Sequence, residues 1–284
     1  MNAHPAHGPF ETITLERQGA VAVLTLDRPR QRNALNARLL AEVGQALDEV
    51  EVDDALRAVV VAGAGPSFCA GFDLKEDTDA GRRDAAGWRA VLERDHAFLI
   101  RFWEYPKPTV AAVHGHCLAG GFQLALCCDL TVAAEDARFG SPELRFGSVV
   151  ATLILPWLTG PKIAKEIILC GDDGVTARRA YDAGIANRVV AREHLLAEAV
   201  ALADRMARLD ADAVRGTKLA INRGLQMAGM SDGLRAALEL AVSIEVLDTP
   251  SRREFRERVA RQGLAAALAW RDGRLASDAG GDGA

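Results

Sequence analysis

The chain has 284 residues, of which 49% are hydrophobic and 26% charged, the balance of an ordinary globular protein with a sizeable core. Its formal net charge of -5 gives no global field that would attract nucleic acid or an anionic membrane surface. The five cysteines form no Cys-x-x-Cys pair, and no segment is apolar enough for a secretion signal or a membrane span. We therefore predict a cytoplasmic protein with reduced thiols.

Strands and helices alternate along the first two thirds of the chain, which indicates an α/β fold followed by an all-helical end. The predicted strands occupy residues 12–15, 20–26, 58–62, 109–113, 130–134 and 187–190. The predicted helices occupy residues 37–52, 88–102 and 122–128, short segments between 153 and 183, and most of 194–274. Asn36 is the expected N-cap of the first helix, and residues 76–87 are expected to form a mobile loop.

Two glycine-rich stretches each follow a predicted buried strand. The first spans residues 63–75, and the second, Ala119-Gly120-Gly121, precedes a segment that is apolar on every side. A turn between a strand and a buried helix leaves backbone N–H groups unpaired and directed at a cavity. Such groups can stabilise negative charge that develops on an oxygen atom during a reaction, although close packing of a helix on a strand also requires glycine.

Other chemistries match the sequence less well. Gly63-x-Gly65 lacks the third glycine of a dinucleotide-binding motif, because Phe68 stands there. His114 and His116 would share one face of a strand, but no partner lies at a familiar metal-ligand spacing. The Gly-x-Ser-x-Gly spacing of hydrolases occurs at residues 229–233, but there it lies in the predicted helical end and follows no predicted strand. The phosphate-binding loop motif is absent from the sequence.

Glu143 is the candidate acid–base residue. It follows Pro142 in a turn-rich segment that also contains Phe139, Leu144 and Phe146. Apolar surroundings raise the pKa of a carboxyl group by desolvation, which suits proton transfer near neutral pH. The residue types alone leave open whether this is a catalytic glutamate or a glutamate in a surface turn.

Seven short motifs stand in a fixed order along the chain. They are Arg28-Pro29, Asn33-Ala34-Leu35-Asn36, Phe68-Cys69-Ala70-Gly71-Phe72-Asp73-Leu74, the run from His114-Gly115 through Gly120-Gly121 to Cys128-Asp129, Phe139-Gly140-Ser141-Pro142-Glu143, Thr176-Ala177 and Ala183-Gly184. In these motifs the chain resembles the enoyl-CoA hydratase/isomerase (crotonase) superfamily, from about Phe10 to about Arg274. Several ordered motifs are far more specific than any single one.

The resemblance implies an organisation for the whole chain. Residues 10–200 would form a crotonase-like spiral of ββα units, and residues 201–275 a helical C-terminal region that builds a homotrimer or a hexamer made of two trimers. Residues 1–9 and 276–284 would be disordered. The resemblance also implies acyl-CoA substrates and no metal or other resident cofactor, because coenzyme A is part of the substrate.

The resemblance also implies roles for individual residues. The backbone N–H groups of Phe72 and Gly120 would form an oxyanion hole. The residues expected to contact the CoA thioester arm are Ala70, Phe72, Asp73, Leu74 and Lys75. The basic residues expected to meet the CoA phosphates are Arg28, Arg30, Arg32 and Lys75. The acyl pocket would be lined partly by residues 76–102 and 146–158, with Trp88, Trp103 and Trp157 expected in the core.

The sequence departs from the family pattern at one catalytic position. Hydratases of this family use two glutamates, of which the second aligns with Glu143, whereas the position of the first holds Gln123. A glutamine can orient a water molecule or a substrate but cannot exchange a proton, so Glu143 would be the sole acid–base residue.

Three functions remain open at this point. The first is hydration or double-bond isomerisation of an enoyl-CoA through an enolate stabilised by the oxyanion hole. The second is a catalytically weak oligomer that binds acyl-CoA. The third is another reaction of the family, such as decarboxylation, C–C hydrolysis or aromatic acyl-CoA chemistry.

Overall fold

The structure is a computed structural model that describes residues 10–79 and 83–277. Its strands are β1 (Ile13–Gln18), β2 (Val21–Leu26), β3 (Ala58–Gly63), β4 (Thr109–Val113), β5 (His116–Leu118), β6 (Leu130–Ala134), β7 (Arg138–Gly140), β8 (Val175–Thr176) and β9 (Arg188–Val190). Its helices are α1 (Ala37–Val52), α2 (Leu74–Asp79), α3 (Ala85–Glu104), α4 (Gly120–Cys127), α5 (Leu155–Thr159), α6 (Pro161–Leu169), α7 (Ala177–Asp182), α8 (Leu195–Ala207), α9 (Ala211–Leu225), α10 (Ser231–Glu245), α11 (Pro250–Gln262) and α12 (Leu264–Ser277). Short 3-10 turns lie at Pro29–Gln31, Pro142–Phe146 and Arg192–His194, and a π-helical turn lies at Gln226–Met230.

The larger sheet has the strand order β1-β2-β3-β4-β6-β9. Strands β1 and β2, both predicted as strands, form an antiparallel hairpin, and the other neighbours are parallel. Parallel strands need crossover connections, which α1 and α3 supply on either side of β3. The smaller sheet, β5-β7-β8, was not predicted, because its strands are only two or three residues long and show no periodicity.

The two faces of the larger sheet bury different side chains. On β2, Leu24 and Leu26 belong to the main core with α1, α3 and α4. Val21 and Val23, which point to the opposite face, pack in the layer covered by α8. Small residues four positions apart on α8, Ala199 and Ala203 among them, allow this helix to approach the sheet closely.

The predicted first helix is confirmed at both of its ends. The Asn36 side-chain oxygen accepts a hydrogen bond from the Leu39 N–H at 3.0 Å, which satisfies an N–H group that has no partner within the helix. Val43, Leu47 and Val50, which follow one another at four- and three-residue steps, are fully buried.

The prediction of a mobile loop over residues 76–87 is wrong in part. Helix α2 covers Leu74–Asp79, and α3 begins at Ala85, three residues earlier than predicted. The cause is capping, because the Asp84 side chain accepts a hydrogen bond from the Gly87 N–H at 2.8 Å. The expected disorder at residues 1–9 and at residues 278–284 lies outside the described residues, whereas residues 276 and 277 of the expected tail 276–284 are the last two residues of α12.

The predicted boundary between core and C-terminal region at residue 200 falls within α8, which packs on the sheet. The division into these two regions stays a prediction. Among the described residues, no helix is long and apolar enough to cross a membrane.

Candidate active site

The two glycine-rich stretches lie in direct contact after β3 and β5. The Leu118 N–H donates to the Cys69 carbonyl oxygen at 2.9 Å, and the Cys69 N–H donates to the His116 carbonyl oxygen at 3.1 Å. Gly71 turns the chain with φ of 100°, a conformation that favours glycine. A Cβ atom at Gly71 would lie 3.1 Å from the Gly120 nitrogen, so the backbones of the two stretches touch.

Phe72 and Gly120 therefore lie side by side. A Cβ atom at Gly120 would come within 2.6 Å of Cδ2 and Cε2 of the Phe72 ring, so any side chain at this position would displace that ring. Within residues 10–79 and 83–277, neither the Phe72 N–H nor the Gly120 N–H donates a backbone hydrogen bond. Gly120 is the first residue of α4, where helix geometry leaves N–H groups unpaired. Both residues line one cavity, so both N–H groups are free for an acceptor.

Ala119, which precedes α4, is held in a strained conformation. Its φ of 50° and ψ of -125° are unfavourable for any residue with a Cβ atom. The Ala119 N–H donates to the Gly140 carbonyl oxygen at 2.9 Å, which ties the strained residue to the smaller sheet. The strain therefore lies next to the free N–H group of Gly120.

Glu143 lies in the 3-10 turn Pro142–Phe146 and is only 8% exposed. This excludes the interpretation as a surface-turn glutamate. Gln123 of α4 donates from Nε2 to Glu143 Oε1 at 3.1 Å. The second carboxyl oxygen, Oε2, is buried and has no hydrogen-bond partner.

Burial raises the pKa of Glu143 from its ordinary value of 4.5 to about 7. Hydrogen bonds to the carboxyl group, from Ser141 and Gln123 among others, act in the opposite direction but are weaker than the desolvation. A carboxyl group with this pKa is close to half ionised at neutral pH, which is the condition for accepting and returning a proton efficiently.

Three further carboxyl groups line the same cavity of about 220 Å³, those of Asp95, Glu245 and Asp248. Each forms an ion pair with an arginine, namely Arg94, Arg252 and Arg256. Ion pairing favours the charged form of a carboxyl group. Among the described residues, Glu143 is thus the cavity carboxyl group without an arginine partner.

The predicted CoA-contacting residues divide into two groups. Ala70, Phe72 and Leu74 line the cavity together with Glu143 and Gly120. Arg28 and Asp73 bind each other instead, at 2.9 Å, and both side chains are largely buried.

The exposed basic candidates lie near this group. Lys75 follows Leu74 directly and is exposed. Arg32 is exposed and accepts a hydrogen bond at its carbonyl oxygen from the Ala70 N–H at 3.0 Å. Arg30, two residues earlier, is also exposed.

One face of α3 forms a wall of the cavity, within the range 76–102 that was expected to line the acyl pocket without assignment of individual side chains. Its members are Trp88, Val91, Leu92 and Asp95, and their spacing of three and four residues is the available signal. The expectation that Trp88 belongs to the core is therefore wrong, whereas Trp103 is buried in the core as expected.

His114 and His116, the candidate metal ligands, make other contacts. His114 Nε2 lies 3.0 Å from the Gly65 carbonyl oxygen, and His116 Nδ1 lies 3.4 Å from Ser67 Oγ. The described residues contain no cluster of three side chains that could hold a metal ion.

The fold and this site define a protein of the crotonase superfamily. The spiral architecture has a close match in a crystal structure of an enoyl-CoA hydratase/isomerase from Xanthobacter autotrophicus Py2. That chain is 47% identical, the TM-score is 0.91, and the match covers 94% of this chain and 99% of that one.

Sequence comparisons give the family itself. A model of the family described as "Enoyl-CoA hydratase/isomerase" matches residues 16–259. A crotonyl-CoA hydratase of Syntrophomonas wolfei is 37% identical over 221 residues, which are 76% of this chain and 84% of that protein. A short-chain-enoyl-CoA hydratase of Clostridium acetobutylicum is 36% identical over 225 residues, which are 76% and 83% of the two chains. The chain belongs to the enoyl-CoA hydratase/isomerase family and is an enzyme of that type.

Proposed function

We propose that the protein acts on an enoyl-CoA thioester through an enolate intermediate. The Phe72 and Gly120 N–H groups would donate to the thioester oxygen, where negative charge develops. Preorganised donors of this kind typically contribute about 3–4 kcal/mol each to the stability of the transition state. Glu143 would carry the proton.

The observation that carries this proposal is the burial and the incomplete hydrogen bonding of the Glu143 carboxyl group. Gln123 occupies one carboxyl oxygen, and the other is buried without a partner. Because the other cavity carboxyl groups are bound to arginines, Glu143 is the group best suited to gain and lose a proton.

A single proton carrier favours double-bond isomerisation. Glu143 in its carboxylate form would take a proton from C2 of a 3-enoyl-CoA, which gives a dienolate held by the two N–H groups. The same carboxyl group would then return the proton to C4, and the double bond would move from C3–C4 to C2–C3. The net reaction consumes no water and needs no second acid.

Hydration is the second candidate, because the curated relatives described above carry the names of hydratases. In that reaction Glu143 would both activate water and deliver the proton to C2, which one carboxyl group can do only in a concerted addition. Gln123 would then serve to orient the water molecule or the carboxylate.

Two substrates separate the candidates. With a 3-enoyl-CoA, isomerisation would produce the absorbance of a conjugated enoyl thioester, and with a 2-enoyl-CoA, hydration would remove it. Binding of an acyl-CoA without either change would point instead to the weak binder or to another family reaction.

The Gln123→Glu variant sharpens this separation, because it supplies the second carboxyl group of a two-glutamate site. We expect its hydration rate to rise above that of the wild type. An unchanged rate would mean that the missing carboxyl group is not what limits hydration.

For the bound CoA, we propose that Arg30, Arg32 and Lys75 meet the phosphates and that the Arg28–Asp73 pair holds the loop that carries Phe72. Each exposed cation offers a charge to an anionic group. The proposed chemistry requires no resident metal or redox cofactor, because coenzyme A enters as part of the substrate.

The proposed assembly is a homotrimer or a hexamer of two trimers. Its support is that the C-terminal helices expose several large apolar side chains which a partner chain would cover, namely Leu219, Ile221, Met227 and Leu240. The proposed location is the cytoplasm, since all five cysteines are free thiols.

A further inference from the structure

The turn that carries Glu143 is held in place by the C-terminal helices of the same chain. The Phe146 ring, at the end of this turn, stacks on Phe255 of α11 with ring centroids 5.5 Å apart and an interplanar angle of 22°. The Arg271 guanidinium of α12 lies over the same Phe146 ring at 5.6 Å. The aromatic residue three positions after Glu143 is thus packed against both helices of the C-terminal hairpin α11–α12.

The residue before Phe146 makes a second connection to α12. Arg145 donates from both terminal nitrogens to the Asp173 carboxylate, at 2.8 and 2.7 Å. It also donates to Asp272 of α12 at 3.3 Å. This arginine therefore links the turn to the loop before β8 and to the hairpin at once.

The residues after the turn connect to the same helices through Glu245, the last residue of α10. Ser148 Oγ donates to Glu245 Oε1, and the Val149 N–H donates to the same oxygen at 3.2 Å. Glu245 in turn forms an ion pair with Arg252 of α11. Arg252 also donates to the Glu245 carbonyl oxygen at 2.6 Å, which fixes the start of α11 to the end of α10.

We propose that the hairpin α11–α12 is a positioning element for Glu143, and that Phe255 is the residue through which the hairpin covers the catalytic turn. The inference rests on the proposed role of Glu143 as proton carrier. The contacts involve residues 145–149, so the hairpin acts on Glu143 through the turn and through the exclusion of water.

The charged groups around Glu143 come from every wall of the cavity. They are Arg83, Asp95 of α3, Glu245 of α10, Asp248 between α10 and α11, Arg252 and Arg256 of α11, and Arg271 of α12. The largest influence on the Glu143 carboxyl group is nevertheless burial. Removal of an apolar cover should therefore allow water to reach Glu143 and move its pKa down towards the ordinary range.

The test compares the wild type with the full-length Phe255→Ala variant. Glutamate side chains labelled with ¹³C at Cδ are titrated by NMR, and the Glu143 signal is assigned by its loss in Glu143→Gln. We expect the pKa of Glu143 to fall in Phe255→Ala from the value near 7, with kcat on the better enoyl-CoA substrate lower by about tenfold and KM changed far less.

Two control variants distinguish a specific effect on Glu143 from a general loss of structure. Phe255→Leu keeps an apolar cover and should retain most of the wild-type titration and kcat. Arg261→Ala removes an exposed ion pair with Glu257 on the same helix and should leave both unchanged. A Phe255→Ala protein that is folded but titrates like the wild type would overturn the proposal.

A second variant keeps the test decisive if Phe255→Ala does not fold. Asp272→Ala removes one contact of Arg145 and the ion pair of Asp272 with Arg271, while the two hydrogen bonds from Arg145 to Asp173 remain. We expect a smaller shift in the same direction, and no shift would refute the positioning role. The NMR titration needs no turnover, so a shifted pKa in a protein inactive on both enoyl-CoAs would contradict the proposed function alone.

Discussion

The larger sheet and the C-terminal helices differ in how far their apolar side chains are exposed to solvent. Leu24 of β2 and Val60 of β3 are fully buried, whereas Ile221 of α9 and Leu240 of α10 are 63% and 67% exposed. These side chains of the sheet are covered within the chain, whereas the two helical side chains are not. We therefore expect substitutions at the first pair to act mainly on fold stability, and substitutions at the second pair to act mainly on the proposed association.

The candidate site lies where these two regions meet. The free N–H groups belong to breaks after strands of the sheet region, and Glu143 lies on a turn packed against α11 and α12. Variants in each region should therefore have separable effects on chemistry, stability and assembly.

The largest expected effect is on catalysis. Glu143→Gln preserves the size of the side chain but removes its ability to exchange a proton. We expect kcat to fall by about 10³-fold, within the range typical of general acid–base residues, while the affinity for acyl-CoA stays nearly intact. Steady-state kinetics and calorimetric binding on the same preparation check this. Normal turnover would place the proton carrier elsewhere.

The contrast between the regions can be tested with one residue type. Leu24→Ala should lower the free energy of unfolding by about 2–5 kcal/mol, because it opens a cavity in a packed core. Leu240→Ala should change it by less than about 0.5 kcal/mol in the monomer and instead weaken association. Urea unfolding and analytical ultracentrifugation measure the two effects, and similar free energies of unfolding for both variants would contradict this difference between the two regions.

The buried carboxyl group also makes stability depend on pH. The pKa of Glu143 is about 7 in the folded protein against an ordinary 4.5. Between pH 4.5 and pH 7 the carboxyl group is ionised in the unfolded chain but still protonated in the folded protein, so the free energy of unfolding falls as the pH rises. Above pH 7 the total loss is about 3 kcal/mol. Glu143→Gln should therefore be more stable than the wild type by up to about 3 kcal/mol at pH 8 and about equal at pH 4.

Unfolding in urea at several pH values measures this difference. The exposed Glu16→Gln variant serves as the control and should show no such pH-dependent gain. A Glu143→Gln gain that is the same at pH 4 and pH 8 would show that the carboxyl group is not destabilised by burial.

The smallest expected effect concerns the strained residue. Ala119→Gly should raise the free energy of unfolding by about 1 kcal/mol, because relief of the unfavourable φ and ψ outweighs the added flexibility of the unfolded chain. Turnover should be retained, since the neighbouring Gly120 N–H is unchanged. A loss of stability would mean that the conformation of Ala119 carries no strain.

Strongly patterned elements could be predicted from the sequence, and weakly patterned ones could not. Helix α1 follows from Asn36 and its apolar periodicity, and β4 follows from a run of buried residues. Strands β5, β7 and β8 are too short to show a period, and α2 is formed by charged residues that resemble a loop.

The candidate site shows the same division. The resemblance to a family located Phe72, Gly120, Gln123 and Glu143 by position, but residue types alone could not show whether Glu143 is buried. The turn that carries Glu143 packs through Phe146 against Phe255 and Arg271, which are more than 100 residues away in sequence. The role of Arg28 was equally hidden, because its partner Asp73 is 45 residues away.

The central claim is that Glu143 alone carries the proton between two carbons of the substrate. The most direct measurement is label transfer, in which a 3-enoyl-CoA deuterated at C2 is converted in ordinary water and the product is analysed by mass spectrometry and NMR. We predict a 2-enoyl-CoA that carries deuterium at C4, because the buried carboxyl group of Glu143 exchanges slowly with solvent. A product that carries only solvent hydrogen at C4, formed at the same rate by Glu143→Gln, would contradict it.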